Sequence, residues 1–143
     1  MKPSLDRKKF LKKYNIKNNI LVSLMTNVIW DAQLKFEQNI FKSQIEWIET
    51  TINYFKNKKN IDLLIRVHPA EIRGDVPSGQ KIKDEIYKIF QVLPDNIKIV
   101  DADDKFSSYE LSEMSNAVLV YATKLSFELP CFGQNVIVCG EAF

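Results

Sequence analysis

Five short apolar runs, separated by longer segments with helical spacing, constrain this chain more than anything else in it. The runs cover Ile20–Met25, 61–67, Ile97–Val100, 117–121 and 135–139. Each has the length of a strand, is rich in Val, Ile and Leu, and is bounded by Asn, Asp, Pro or Gly. Strands buried on both faces read in this way. Between them, apolar side chains return every three or four residues. From about Gln38 to Lys56 the stripe includes Ile40, Phe41, Ile45, Trp47, Ile48, Ile52 and Phe55; over 81–93 it includes Ile82, Ile86, Ile89 and Phe90 before Pro94. Shorter helices fit 108–114 and 125–132, the last ending near Gly133. Strand–helix alternation repeated four times predicts an α/β fold, a Rossmann-like sandwich around a parallel sheet of about five strands with right-handed crossovers.

At 143 residues the chain suits one such domain over 19–143, preceded by a basic helical lead-in over 1–18. Seven of the 20 Lys and Arg fall in the first 19 residues beside one acid, so the lead-in is strongly cationic while the rest is net acidic. A net charge of +2 gives no reason to expect nucleic acid. The lead-in also carries Phe10, Leu11 and Tyr14, and two uses fit it. It can lie on an anionic membrane surface, or it can pack its few apolar side chains onto the domain. Two cysteines without a CxxC or a His/Cys cluster fit buried thiols in a reducing compartment, with no zinc site. No apolar core follows the basic start and no run approaches ~20 apolar residues, so a cytoplasmic protein is expected, with a peripheral inner-membrane contact as the one addition. The chain stops at Gly-Glu-Ala-Phe directly after a strand, which reads as a C-terminally truncated fragment.

Chemistry-bearing residues gather at the predicted strand ends. The second run passes into residues 66–71, Arg-Val-His-Pro-Ala-Glu, with the chain's single histidine at the tip. Ligands of open α/β sheets bind beyond the carboxyl ends of the strands, so His68, with Arg66 and Glu71 beside it, is placed to meet a phosphate-bearing ligand. A strand cap is the alternative role for His68. Asp31, Asp101 and Asp103 follow other strands. Ser107-Ser108-Tyr109-Glu110 has the spacing of a capping box, which explains it without a ligand, although the helix start it defines can also take an anion. Residues 121–128, Tyr-Ala-Thr-Lys-Leu-Ser-Phe-Glu, run from strand to helix. There Thr123 is a phosphate-binding candidate and Glu128 either bonds sugar hydroxyls or is a solvated helix carboxylate. No Gly-x-Gly-x-x-Gly, P-loop or Gly-x-Ser-x-Gly is present among the four glycines, against a standard NAD enzyme, a nucleoside triphosphatase or an α/β-hydrolase.

Taken in order, Trp30-Asp31, Arg66 to Glu71, Ser107 to Leu111, Tyr121 to Glu128 and the turn at Gly140 resemble the bacterial capsular polysaccharide biosynthesis proteins. That family is glycosyltransferase-like and related to sialic acid and Kdo transferases using CMP-activated donors. The resemblance implies a GT-B architecture, with this chain as the C-terminal, donor-binding half. It implies that His68-Pro69 is the His-Pro motif contacting the donor phosphate, that Thr123 matches the downstream Ser/Thr phosphate motif, and that Arg66, Glu71, Ser107, Ser108 and Glu128 belong to the same nucleotide-sugar site. The family usually reads Ser-Thr-x-Gly-x-Glu where this chain has Ala122 to Glu128; the first serine and the glycine are missing, and Ser126 is a substitute donor. His68 would be the catalytic group. No cofactor or metal is implied beyond a CMP- or UDP-linked sugar as substrate. The partners implied are the N-terminal half of the same protein, which supplies the general base, and a polysaccharide or lipid-linked acceptor. Three other readings compete: a nucleotide-sugar epimerase of the same fold, a non-catalytic scaffold domain in capsule assembly, and, least favoured, a receiver-like signalling domain.

Overall fold

The computed structural model describes residues 7–30, 39–73 and 78–140. Asp31, Gln38, Gly74, Pro77 and the last three residues lie outside them. The element order is α1 (Arg7–Lys13), β1 (Ile20–Met25), α2 (Gln44–Phe55), β2 (Ile61–Arg66), α3 (Ala70–Arg73), α4 (Ile82–Ile89), β3 (Ile97–Val100), α5 (Ser108–Met114), β4 (Ala117–Val120), α6 (Leu125–Cys131) and β5 (Val136–Val138). The strands form one five-stranded sheet in the order β3-β2-β1-β4-β5, and every pairing is parallel. This is the α/β, Rossmann-like sandwich that the alternation predicts.

Side chains alternate across the sheet and build two cores. Val22 and Leu24 of β1, Leu63 and Ile65 of β2, and Leu119 of β4 face one way, where Trp47, Ile48 and Ile52 of α2 and Ile82 and Ile86 of α4 cover them. Leu21 and Met25, Leu64, and Val118 and Val120 face the other way, beneath Phe10 of α1, Leu111 of α5 and Leu129 of α6. Burial of both faces is why the three inner strands, β1, β2 and β4, carry almost no solvent-facing residues. Ser23, inside β1, is fully buried and bonds the Ser115 hydroxyl at 2.5 Å.

Several boundaries differ from those read in the sequence, each for a local reason. Ser43 adopts an extended conformation and its hydroxyl accepts the Glu46 N–H, so α2 starts at Gln44 rather than near 38. Phe90 leaves the helical region at φ −115°, ψ 98°, ending α4 before the apolar stripe ends. The short α3 was not foreseen: Pro69 precedes it, where the missing N–H costs little, and the His68 and Pro69 carbonyls accept from Glu71 and Arg73. Cys131 is exposed at the end of α6, contrary to the expectation of two buried thiols, while Cys139 is half-buried; neither is in a disulfide.

The basic lead-in belongs to the second core. Phe10 is fully buried, 4.9 Å from the Tyr14 ring and 4.8 Å edge-on to Phe106. Lys13 and Tyr14 both reach the Asp104 carboxylate, whose other oxygen accepts the Phe106 N–H. Burial works to raise the pKa of Asp104, but those three donors prevail and hold it below the usual carboxylate value. Of the two uses open to this segment, the apolar side chains serve the packed one. Among the described residues no helix is long and apolar enough to cross a membrane.

Candidate functional site

In the order β3-β2-β1-β4-β5 the chain winds outward in one direction from β1 to β3, then returns to place β4 on the other side of β1. The crevice at the carboxyl ends of β1 and β4 is therefore the topological switch point, where open parallel sheets receive ligands. A cleft of about 330 Å³ opens there. Met25 and Thr26 line it from the end of β1, Arg66, His68 and Pro69 from β2, Ser107, Ser108 and Tyr109 from the start of α5, and Thr123, Lys124 and Leu125 from the loop after β4. Its size is within the range of small-molecule sites.

Two other cavities are slightly larger. One of about 390 Å³, lined by Lys17, Lys56, Lys59 and Asp62, lies among residues that precede strands or follow helices, at the opposite end of the sheet. The other, about 370 Å³, is lined by Glu71, Asp84, Asp101 and Asp103 with Lys81 and Lys83. The switch-point cleft is favoured by position and by charge. Its described lining includes two cations, Arg66 and Lys124, and no carboxylate.

Local bonding sets each side chain of the cleft. The His68 backbone N–H donates to the Thr26 hydroxyl at 3.0 Å, tying the end of β2 to the loop after β1. The Ala70 N–H donates to His68 Nδ1 at 3.1 Å. A neutral ring accepting at Nδ1 carries its proton on Nε2, so the tautomer is fixed by the turn that starts α3. Thus the strand-capping role and a ligand-facing role coexist in one exposed residue. Ser107 completes the capping box: its hydroxyl accepts the Glu110 N–H and Glu110 accepts the Ser107 N–H. Thr123 lies half-buried at the cleft wall, its hydroxyl 3.5 Å from the Leu125 nitrogen.

Arg66 is held rather than offered. It is 2% exposed, and its guanidinium donates to the carbonyls of Asp101 and Asp104. Burial pushes its pKa down, opposed by the Asp104 carboxylate. Its Nε has no partner among the described residues.

Six of the nine residues singled out in the sequence meet in the cleft: Arg66, His68, Pro69, Ser107, Ser108 and Thr123. Three do not line it. Glu71 turns under α4 and accepts the Ile82 N–H at 2.9 Å. Glu128 sits behind the wall, accepting the Tyr109 hydroxyl at 2.6 Å. Ser126, inside α6, has its hydroxyl buried with no partner among the described residues. Thr26, Tyr109 and Lys124 were missed as site residues, although Thr26 directly follows the first apolar run and Tyr109 and Lys124 lie within segments already singled out. Asn27 was missed as well. It is buried beside the cleft residues, and its side-chain amide bridges to the Ala122 carbonyl at 2.6 Å across the switch point.

What the fold and cleft define is a class: a doubly wound parallel α/β domain with a cationic, hydroxyl-lined crevice at its switch point. No family model matches the sequence, and no curated protein matches it significantly. Among the described residues no group of three His, Cys, Asp or Glu side chains could hold a metal ion.

Proposed function

We propose that this chain is the donor-binding domain of a glycosyltransferase of surface or capsular polysaccharide biosynthesis, taking a nucleotide sugar, CMP-linked in the first instance, in the switch-point cleft. The observation that carries the reading is the convergence of His68, Ser107, Thr123 and Lys124 on one crevice at the carboxyl ends of β1, β2 and β4. In glycosyl transfer the bond from the sugar to the donor phosphate breaks and negative charge grows on the departing nucleotide. Only contacts that strengthen as this charge develops accelerate the reaction. His68, protonated on Nε2, and the Thr123 hydroxyl are donors suited to that task. Among the described residues the cleft lining holds no carboxylate, and on the resemblance to the capsule family the general base that activates the acceptor hydroxyl is supplied by an N-terminal half facing this cleft across a GT-B interface. The acceptor is a growing polysaccharide or a lipid-linked sugar. The exposed cations of α1, Lys8, Lys9 and Lys12, support a peripheral contact with an anionic inner-membrane surface.

Titration of the protein with CMP, UDP and GDP, following the His68 ring resonances by NMR, tests the reading. Saturable CMP binding that moves those resonances and is lost in His68→Ala is the expected result. Selective UDP binding would keep a nucleotide-sugar enzyme and discard the CMP assignment. Absence of any binding at millimolar nucleotide would sink the donor-site reading of this domain.

A further inference from the structure

Of the two cations in the cleft lining, one is already committed. The Arg66 guanidinium is buried and bound to two backbone carbonyls, so turning it toward a ligand would strand both carbonyls and bare a buried charge. Lys124 is different. Its side chain is 71% exposed at the lip of the cleft, and its ammonium lies 3.7 Å from the Glu128 carboxylate. An exposed pair at that separation is weak and easily exchanged. Glu128 is itself fixed from the other side, because its second oxygen accepts the Tyr109 hydroxyl, and Tyr109 packs edge-on to Phe132 at 6.3 Å. The bond to Glu128, with burial adding to it, raises the pKa of the Tyr109 hydroxyl, which therefore stays a donor. Glu128 thus holds an anion beside Lys124 without entering the cleft.

We propose that Lys124 supplies the cation that receives the ligand's phosphate, beside the His68 and Thr123 donors, and that it does so by exchanging its Glu128 partner for the phosphate oxygens. Glu128 is a positioning residue that keeps the ammonium at the lip when the cleft is empty. This rests on the nucleotide reading above and adds a specificity rule to it: Lys124 supplies the ionic part of the discrimination of a nucleotide from its nucleoside. Residues 122–126 lack the leading serine and the glycine of the capsule-family motif they resemble, and a side-chain cation on the same loop offsets that loss. The charge moves from backbone donors to an ammonium, which bonds phosphate as a point charge rather than in a fixed fork.

The test compares CMP, UDP and GDP with cytidine, uridine and guanosine, by calorimetry, on the unaltered chain and on Lys124→Gln and Glu128→Gln. Lys124→Gln is expected to weaken the bound nucleotide about tenfold, equivalent to about 1.4 kcal/mol, and to leave its nucleoside unchanged. Glu128→Gln keeps an oxygen for Tyr109 but frees Lys124, so nucleotide binding should tighten roughly two- to threefold, with its salt dependence retained. If the unaltered chain binds nucleotide and Lys124→Gln binds it equally well, the Lys124 assignment falls while the donor-site reading stands. Equal losses for nucleotide and nucleoside would make Lys124 a packing residue and overturn the assignment too. Weaker binding in Glu128→Gln would make Glu128 a ligand contact and overturn the exchange. If the unaltered chain binds no nucleotide, both readings fall together.

Discussion

Glu71 illustrates what a single residue can hide. Its place three residues beyond His68 put it among the ligand-binding candidates, yet the chain turns through α3 there and carries the carboxylate 2.9 Å from the Ile82 N–H. It caps α4, a helix whose N-cap residue, Lys81, supplies no side-chain bond. Which way a side chain points after an unforeseen helical turn is not written in residue spacing, whereas the strand ends that place His68 and Thr123 are. Glu71 is 4% exposed, and burial raises its pKa above the ordinary 4.5, the Ile82 N–H only partly offsetting this. The sign follows from proton binding: between the unfolded and the raised folded pKa the native state holds more proton, so stability falls as pH rises from about 4.5 through the folded value. Glu71→Gln keeps the acceptor and removes the charge. It should therefore be at least as stable as the unaltered chain at pH 7, with a flatter decline above pH 4.5 in urea denaturation. Glu71→Ala, which leaves the Ile82 N–H unpaired, should lose about 1–2 kcal/mol near pH 4.5, and less at pH 7 where the buried charge already costs the unaltered chain. Equal behaviour of the two variants would deny the capping role.

Among the elements, α1 is the one whose use was least legible. A cationic segment with three apolar residues reads alike whether those residues enter a membrane interface or a protein core, because both environments reward the same amphipathic pattern. The strands were easier. Their apolar runs are short and bounded, and β1 and β3 begin and end where the sequence places them. The partner of α1 is fixed by tertiary packing alone: Phe106 and Asp104 lie more than 90 positions away along the chain, at the entrance to α5. Phe10→Ala removes a fully buried ring from the core beneath α1, α5 and α6 and should cost about 3–4 kcal/mol, read as a lower urea midpoint with an unchanged slope. Lys12→Ala, on the exposed side of the same helix, should stay within about 0.5 kcal/mol. An unaltered midpoint in Phe10→Ala would mean that the helix detaches in solution, and would return its apolar face to the membrane-surface role.

For the whole molecule, strand order is the property that neither periodicity nor turn chemistry discloses, since any parallel order satisfies five buried strands. The observed order puts β1 at the centre, paired on both sides, with β2 and β4 next to it and β3 and β5 at the edges. The same order creates the switch point, and hence the cleft, from segments separated by as much as 100 residues. It also ranks the strands by how readily they open. β5 has one neighbour, three residues, and two half-exposed side chains, Ile137 at 55% and Val138 at 46%. Opening it uncovers little apolar area, whereas freeing β1 requires both of its ladders to part. Native-state hydrogen exchange should therefore find the slowest amides at 21–25, 63–66 and 118–120, near the limit set by global unfolding. The hydrogen-bonded amides of Ile97–Val100 and Val136–Val138 should exchange roughly a hundredfold faster, as expected where edge opening costs about 2–3 kcal/mol less than unfolding. Protection of β5 equal to that of β1 would contradict an open edge. Dilution then separates the causes: protection that fades on dilution means a second copy of the chain pairs along Val136–Val138, and protection that persists means that β5 opens only with the whole sheet.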